Sequence, residues 1–183
     1  MSITKIISKY SKNNSIVVYI STIDSPVGKV TAAADDNYLY VVSPEDSKNY
    51  EKGFDTLAKE LSCKFVNDIN KILQNFEDEF TGYFEGNLTK FTVPIKPFGS
   101  DFQKSVWDKL VEIPFGSTQT YADLAKSLGR PASHSRAVGA ACGANPLLIV
   151  VPCHRLVASA SIGGFNSGLD RKEKLIEHEK KFT

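Results

Sequence analysis

The sequence is organised around one stretch, Asn145-Pro146-Leu147-Leu148-Ile149-Val150-Val151-Pro152-Cys153-His154-Arg155. An unbroken apolar run leads into Pro152, and three chemically capable side chains follow it directly. Such a run fits a strand buried on both faces or another internal segment. Pro152 fixes its own φ and biases the residue before it towards an extended backbone. On position alone, Cys153 is equally a small core hydrophobe or a nucleophile presented at the end of a stiff segment.

The composition is that of an ordinary protein with one domain or two small ones in 183 residues. No apolar run approaches the length of a membrane span, and the N-terminus lacks the apolar region of a signal peptide. Three cysteines, an odd number without a regular spacing, indicate a reducing compartment. We therefore expect an intracellular protein without a membrane partner, nuclear if the source is eukaryotic and otherwise cytoplasmic. No CxxC or CxxxH pair is present, and we predict no metal site.

The charge is unevenly distributed, although the net charge is only +1. Acidic residues outnumber basic ones up to Pro97, and the balance is reversed after it. Between Leu124 and Leu169 there is no acidic residue, whereas Lys126, Arg130, Arg136 and Arg155 all lie there. A polyanion could approach this stretch without repulsion, but a chance gap in acidic residues explains it equally well.

The N-terminal half carries strand patterns followed by helical ones. Three β-rich runs separated by short turns, at 15–23, 29–34 and 38–42, predict an antiparallel meander. A helix over 54–61, a short strand over 63–66 and a longer helix over 67–84 follow, the last with apolar residues at helical spacing from Ile69 to Phe84. The Gly- and Pro-containing segment 86–98 resembles a surface linker. We therefore divide the chain into domains at 1–92 and 93–183.

The C-terminal half is mainly helical. A helix over 101–111 is followed by two short helices, 121–128 and one that begins at Ser133 or Ser135, with Thr120 as the N-cap of the first. The tight turn between the short helices predicts a helix-turn-helix. The second of them is rich in Ala and Gly, which suits close approach to a narrow groove better than base reading in the major groove. Asp170 and Glu173 predict a capping box at the start of a terminal helix.

Several motifs together resemble one family. They are Val151-Pro152-Cys153-His154-Arg155, Arg136-Ala137-Val138-Gly139, Asn145-Pro146, Phe102-Gln103-x3-Trp107, Ile113-Pro114-x-Gly116, Tyr121-x2-Leu124-Ala125 and Leu175-Ile176-x2-Glu179. They resemble the signature of the O6-alkylguanine-DNA alkyltransferases, also called methylated-DNA–protein-cysteine methyltransferases. The resemblance is nearly continuous from Gly99 to Glu179. It is weaker in the N-terminal half, where Ser25-Pro26-x-Gly28 and Tyr83-Phe84-x-Gly86 are similar.

The resemblance implies an α+β fold and a single-turnover activity. The N-terminal domain would be a ribonuclease-H-like antiparallel sheet with helices, and the C-terminal domain a winged-helix-like helical domain with the helix-turn-helix. The implied reaction moves an alkyl group from O6-alkylguanine, and less well from O4-alkylthymine, in double-stranded DNA to Cys153. A thioether does not return its alkyl group, so each monomer would act once, without a cofactor.

The resemblance also assigns catalytic roles. Cys153 would be the nucleophile, and His154 the base that acts on it through a water molecule, because adjacent side chains in an extended segment point in opposite directions. Glu179 matches the carboxylate that orients the histidine. Tyr121 matches a phenol that donates a proton to the guanine ring, and Asn145 a side chain that braces the turn before the apolar run.

DNA contacts are implied at the small-residue helix. Arg136 matches a finger that fills the space left when the nucleotide rotates out of the stack, although a phosphate contact would explain it more simply. Ser135, Ala137 and Gly139 would line the minor groove, and Tyr121 is also expected to bind DNA. The pocket for the flipped base would be formed by Cys153, Leu156, Phe165, Asn166 and Ser167.

Three departures from the family pattern stand out. The turn 130–135 is one residue longer than usual, which leaves the start of the second short helix open. The loop after Cys153 is one residue shorter than in some members, and Asn166 and Ser167 stand where smaller residues are common. We therefore predict that O6-benzyl groups are accepted less well than methyl groups. Zinc ligands found in some members have no counterpart here.

Two other functions compete with this interpretation. A non-catalytic sensor of alkylated DNA, as in relatives that lack the cysteine, would need neither Cys153 nor His154. A cysteine hydrolase would need an oxyanion hole and a direct contact between cysteine and histidine, and it would turn over many times.

Overall fold

The computed structural model describes residues 3–10 and 16–183, so Ser15, the predicted first residue of the first strand, lies outside the described residues. The chain divides into two compact units, Met1–Phe98 and Gly99–Thr183. The division lies six residues after the boundary drawn from the sequence. Of the helices described, none combines the length and the apolarity that crossing a membrane requires.

The N-terminal unit alternates helices with the strands of one sheet. In chain order its described elements are α1 (Ile3–Lys9), β1 (Ile16–Ile23), β2 (Val30–Ala34), β3 (Leu39–Pro44), α2 (Tyr50–Leu61), β4 (Cys63–Asn67) and α3 (Lys71–Phe84). The sequence interpretation missed α1 and began α2 four residues late. It also began α3 too early: Asn70 is the N-cap, its side chain accepting from Leu73 N–H at 3.0 Å, and Ile69 before it is exposed.

The sheet has the strand order β3-β2-β1-β4. The first three strands form the predicted antiparallel meander, but β4 pairs with β1 in parallel. The expectation of a wholly antiparallel sheet was therefore wrong in its fourth strand, because α2 carries the chain across the sheet between β3 and β4. All five residues of the interior strand β2 are buried, as expected where helices cover both faces of a sheet.

The segment 86–98 is part of this unit, although its composition resembles that of a linker. Leu39 N–H donates to Pro94 O at 2.8 Å, and Lys96 N–H donates to Leu39 O at 3.0 Å. The Glu79 carboxylate accepts from the backbone N–H groups of Thr92 and Val93. These bonds hold the segment on the edge strand β3 and on α3.

The C-terminal unit is mainly helical, as predicted. Its elements are α4 (Asp101–Val111), β5 (Gln119–Thr120), α5 (Tyr121–Ser127), a 3₁₀ turn (Ala132–His134), α6 (Ser135–Gly143), a second 3₁₀ turn (Cys153–Arg155), β6 (Leu156–Val157) and α7 (Leu169–Lys181). The strands β5 and β6 pair in parallel. Thr120 caps α5 as predicted, its hydroxyl accepting from Asp123 N–H at 3.1 Å.

The first residues of two helices, α6 and α7, were located only by the structure. The longer turn is taken up by the first 3₁₀ turn, so α6 begins at Ser135 and Arg136 is its second residue. The predicted capping box of α7 is wrong, because the N-cap is Gly168 and it makes no side-chain capping bond. The indole N–H of Trp107 donates to Ala141 O at 2.9 Å, which ties α4 to the last turn of α6. Ala141 O also accepts from Ala144 N–H at 3.2 Å, so the indole is a second donor to this carbonyl group.

Candidate active site

The apolar run from Leu147 to Val151 is buried throughout, but it is a compact turn and not a strand. Val151 N–H donates back to Leu147 O at 2.9 Å, and Val150 N–H donates to Leu148 O at 2.8 Å. Ile149 at the centre of the turn has a φ of +70°, a conformation that β-branched residues rarely adopt. Of the two interpretations of the run, the buried internal segment is confirmed and the strand is excluded.

The Asn145 side chain holds this turn closed. Its Oδ1 accepts from Leu147 N–H at 2.9 Å, and its Nδ2 donates to Val151 O at 2.8 Å. The same Nδ2 lies 3.2 Å from Cys153 Sγ, to which it donates. One amide group therefore fixes both ends of the turn and contacts the sulfur that follows it.

Cys153 begins the second 3₁₀ turn and is 7 % exposed. Burial raises the pKa of its thiol above the ordinary value, against the opposing effects of the Asn145 N–H and the Lys172 charge. A thiol with a raised pKa stays protonated at neutral pH and is a poor nucleophile by itself. The site therefore needs a base.

His154 is placed as such a base would be. Because the chain turns at Cys153, the imidazole is completely buried and its Nε2 lies 2.7 Å from Glu179 Oε1. In the described part of the chain its Nδ1 has no hydrogen-bond partner, Cys153 included. Burial lowers the pKa of His154, an effect that Glu179 partly offsets. The neutral ring that donates from Nε2 therefore keeps an unshared electron pair on Nδ1.

Glu179 is an ionised carboxylate in a buried place. The Arg155 guanidinium donates to it through Nε and Nη2, both at 2.9 Å, and Gly116 N–H donates to its Oε2 at 3.0 Å. Burial alone would raise the pKa of this carboxyl, but the bonds from His154 and Arg155 outweigh it and lower the pKa to about 2. Gly116 has a φ of +76° and lies against Thr183, so a side chain would fit there poorly.

Arg155 is not available to a polyanion, which was one of the two interpretations of the acid-free stretch. Its side chain is buried, and Nη1 donates to Ile113 O at 2.6 Å. Sequence reasoning also missed Gly116 as a donor to Glu179 and missed Lys172. All three lie in or beside the motifs that carry the resemblance, but nothing in their residue types separates them from an ordinary turn or a helix surface.

Tyr121 and Lys172 meet beside Cys153. The Tyr121 hydroxyl donates to Gly164 O at 3.3 Å, and burial raises the pKa of this phenol. Lys172 Nζ is buried, donates to Leu156 O at 2.6 Å and to Gly164 O at 3.1 Å, and lies 5.7 Å from the centre of the Tyr121 ring. A lysine on α7 thus joins β6 to the loop that faces Tyr121.

The predicted pocket residues lie on β6 and on the loop before α7. The Leu156 side chain is fully buried, whereas Phe165 and Ser167 are half-buried and Asn166 is exposed. Asn166 Nδ2 donates to Gly143 O at 2.5 Å, which joins the loop to the end of α6. Ser167 O accepts from the Arg171 guanidinium.

The predicted DNA-contacting residues lie along α6. Arg136 and Ala137 are exposed, Ser135 is half-buried, and Gly139 faces the Tyr121 ring, where an added Cβ would lie 3.8 Å from Cε1. The structure thus brings Cys153, His154, Glu179 and Asn145 together. It keeps the start of α6 on the surface.

Comparison with known proteins agrees with this arrangement. Residues 18–97 match the family described as 6-O-methylguanine DNA methyltransferase, ribonuclease-like domain. Residues 101–181 match 6-O-methylguanine DNA methyltransferase, DNA binding domain. The two matches lie one in each unit.

Similar proteins extend over most of the chain. A methylated-DNA–protein-cysteine methyltransferase of Methanosarcina acetivorans is 39% identical over 163 residues, which are 88% of this chain and 98% of that protein. The inducible methylated-DNA–protein-cysteine methyltransferase of Bacillus subtilis is 40% identical over 136 residues, covering 74% of this chain and 75% of that protein. The crystal structure of Mycobacterium tuberculosis OGT in complex with DNA superposes with a TM-score of 0.77 at 32% identity, covering 92% of this chain and 95% of that chain. The α+β fold predicted from the sequence is confirmed, and the chain belongs to the 6-O-methylguanine DNA methyltransferase family.

Proposed function

We propose that this protein repairs DNA by transferring an alkyl group from O6-alkylguanine, and less well from O4-alkylthymine, to Cys153 in a single turnover. The observation that carries the proposal is the buried His154–Glu179 pair next to Cys153, with Nδ1 of the imidazole unpaired within the described chain. Family membership supplies the reaction class. The site supplies a thiol, a neutral base and a carboxylate that orients the base.

The proposed step is an in-line displacement. A water molecule between Cys153 and His154 passes the thiol proton to Nδ1, which generates the thiolate. The sulfur then attacks the alkyl carbon, so that the S–C bond forms as the bond from carbon to O6 breaks. Tyr121 donates its hydroxyl proton to the guanine ring, and the base leaves neutral. Because burial raises the pKa of this phenol, it carries a proton at neutral pH.

The proposed partner is double-stranded DNA, and the proposed surface is the exposed start of α6. The target atom is paired inside the duplex, so the nucleotide must rotate out. Arg136 would occupy the space that it leaves, while Ser135, Ala137 and Gly139 allow the helix to approach the minor groove closely. The loop Phe165–Ser167 and Leu156 would enclose the flipped base. In this proposal the unit up to Phe98 is a scaffold, the monomer acts inside the cell on its DNA, and no cofactor takes part.

Label transfer tests the proposal. Duplex DNA carrying tritium in the methyl group of O6-methylguanine is incubated with the protein, and the label in the protein is counted. We expect one equivalent per molecule, no transfer by Cys153→Ala, and normal transfer by Cys63→Ala, which removes a thiol from the N-terminal unit. Binding without transfer would instead identify the non-catalytic sensor. Release of label over many turnovers would identify a hydrolase.

A further inference from the structure

The Glu179 carboxylate accepts from two groups that can only donate hydrogen bonds and contacts one ring that can do either. Arg155 and the Gly116 N–H have no acceptor to offer. The His154 ring is the exception, because Nε2 donates in one neutral tautomer and accepts in the other. The protonation state of Glu179 and the tautomer of His154 are therefore linked.

The link has a defined direction. An ionised Glu179 accepts from Nε2–H, and the ring then keeps its electron pair on Nδ1. A protonated Glu179 would have a proton to donate, and Nε2 is the only acceptor among the groups named. The ring proton would then move to Nδ1, which could no longer accept a proton from a thiol.

The contacts of Arg155 favour one of these states. Its guanidinium spans both oxygens of Glu179 and is itself held by Ile113 O and by the Phe115 ring, 5.8 Å away. A bidentate contact of this kind favours the charged carboxylate strongly. Without it, burial would favour the neutral acid. Lys172 on α7 is the other nearby cation acting on His154, but it is bonded to backbone carbonyls and does not replace this contact.

We propose that Arg155 is a positioning residue that keeps Glu179 ionised and thereby holds His154 in the tautomer with its electron pair on Nδ1. The proposal rests on the proposed alkyl transfer for its functional meaning, but the tautomer is a property of the free protein. The sequence showed Arg155 only as one of four cations in an acid-free stretch, with a polyanion partner and a chance gap in acidic residues left open. The structure gives it a role inside the site.

The decisive experiment is NMR of protein labelled with ¹⁵N-histidine and studied without DNA. The chain has only three histidines, so His134 and His178 serve as internal references. We expect wild type and Arg155→Lys, which keeps the positive charge, to carry the His154 proton on Nε2. In Arg155→Gln we expect the proton to move to Nδ1. Retention of the proton on Nε2 in Arg155→Gln, or its loss from Nε2 in folded Arg155→Lys, would overturn the proposal.

Single-turnover kinetics supply the second readout. A wrong histidine tautomer is very damaging in triads of this type, so we expect Arg155→Gln to be slowed by roughly 100-fold or more at neutral pH. The loss should shrink as rising pH ionises Glu179, and Glu179→Gln should abolish the further effect of Arg155→Gln. A loss that is equal at every pH would indicate only a structural role. Absence of transfer by the wild type would contradict the proposed function and leave the tautomer result intact.

Discussion

Two five-residue segments of this protein are equally buried and differ in almost everything else. The strand β2, Val30–Ala34, and the turn Leu147–Val151 are both buried from end to end. The strand pairs with β1 and β3 on either side. The turn bonds to itself and to the Asn145 side chain. Since buried backbone groups must be paired, the source of the partners, and not the degree of burial, decides the backbone shape.

The largest expected effect comes from removing the side chain on which the turn depends. Asn145→Ala leaves Leu147 N–H without its partner and takes one of two donors from Val151 C=O, which keeps the bond from Cys153 N–H. A buried unpaired group costs about 1–3 kcal/mol and a lost hydrogen bond about 1 kcal/mol, so we expect a loss of about 2–4 kcal/mol. In β2 the matched change Thr31→Val spares the ladder and removes the hydroxyl, which lies 2.8 Å from the Tyr50 hydroxyl and farther from Thr22 and Glu45. This change should cost about 1 kcal/mol. Urea denaturation of both variants measures the difference. A smaller loss in Asn145→Ala than in Thr31→Val would contradict our account of the turn.

The next largest effect is expected on the folding stability of the C-terminal unit at acidic pH. The folded pKa of His154 is below its ordinary 6.5 and that of Glu179 is about 2 against 4.5, so the unfolded chain takes up protons first as the pH falls. The C-terminal unit should therefore lose stability from pH 6.5 downwards and more steeply below 4.5, by about 1.4 kcal/mol per pH unit for each extra proton bound.

Fluorescence of the single tryptophan, Trp107, reports this unfolding, because the residue is buried in the C-terminal unit. Glu179→Gln removes the carboxylate and should flatten the dependence below pH 4.5. If the stability of that variant fell with pH as steeply as that of the wild type, a group other than Glu179 would take up the proton.

The smallest expected effect concerns the backbone of Ile149. At a φ of +70° a residue with a Cβ is strained by about 1 kcal/mol relative to glycine. Ile149→Gly should therefore be more stable than Ile149→Ala by about that amount, although both lose the buried side chain. In β2, where the backbone is extended, Ala33→Gly should instead be destabilising. Denaturation midpoints of the three variants test the sign, and an Ile149→Ala variant more stable than Ile149→Gly would contradict the strain.

The sequence predicted what depends on periodicity and on local motifs. The three-stranded meander, α4, and α5 with its Thr120 cap followed from alternation, helical spacing and a capping residue. The parallel pairing of β4 could not be predicted, because it depends on how α2 crosses the sheet. The turn at Ile149 was missed because a buried apolar run has the same composition in a strand as in a turn stabilised by a neighbouring asparagine.

The residues of the candidate site show the same contrast between local motifs and long-range contacts. Cys153, His154 and Glu179 could be named as candidates because motifs carry them, and the structure brings them together. The burial of Arg155 was not predicted, because a charged residue in an acid-free stretch gives no sign that it will pair with a carboxylate on a later helix. Lys172 was missed because its partners are backbone carbonyls, which every residue type supplies.

The burial of Cys153 also slows unwanted side reactions of its thiol. A thiol that is 7 % exposed and has a raised pKa reacts slowly with peroxides and other stray electrophiles, because the thiolate is the reactive form. A protein that acts only once would be wasted by each such accident. Under the proposed function, a thiol that is buried and protonated preserves each molecule for its single reaction with alkylated DNA.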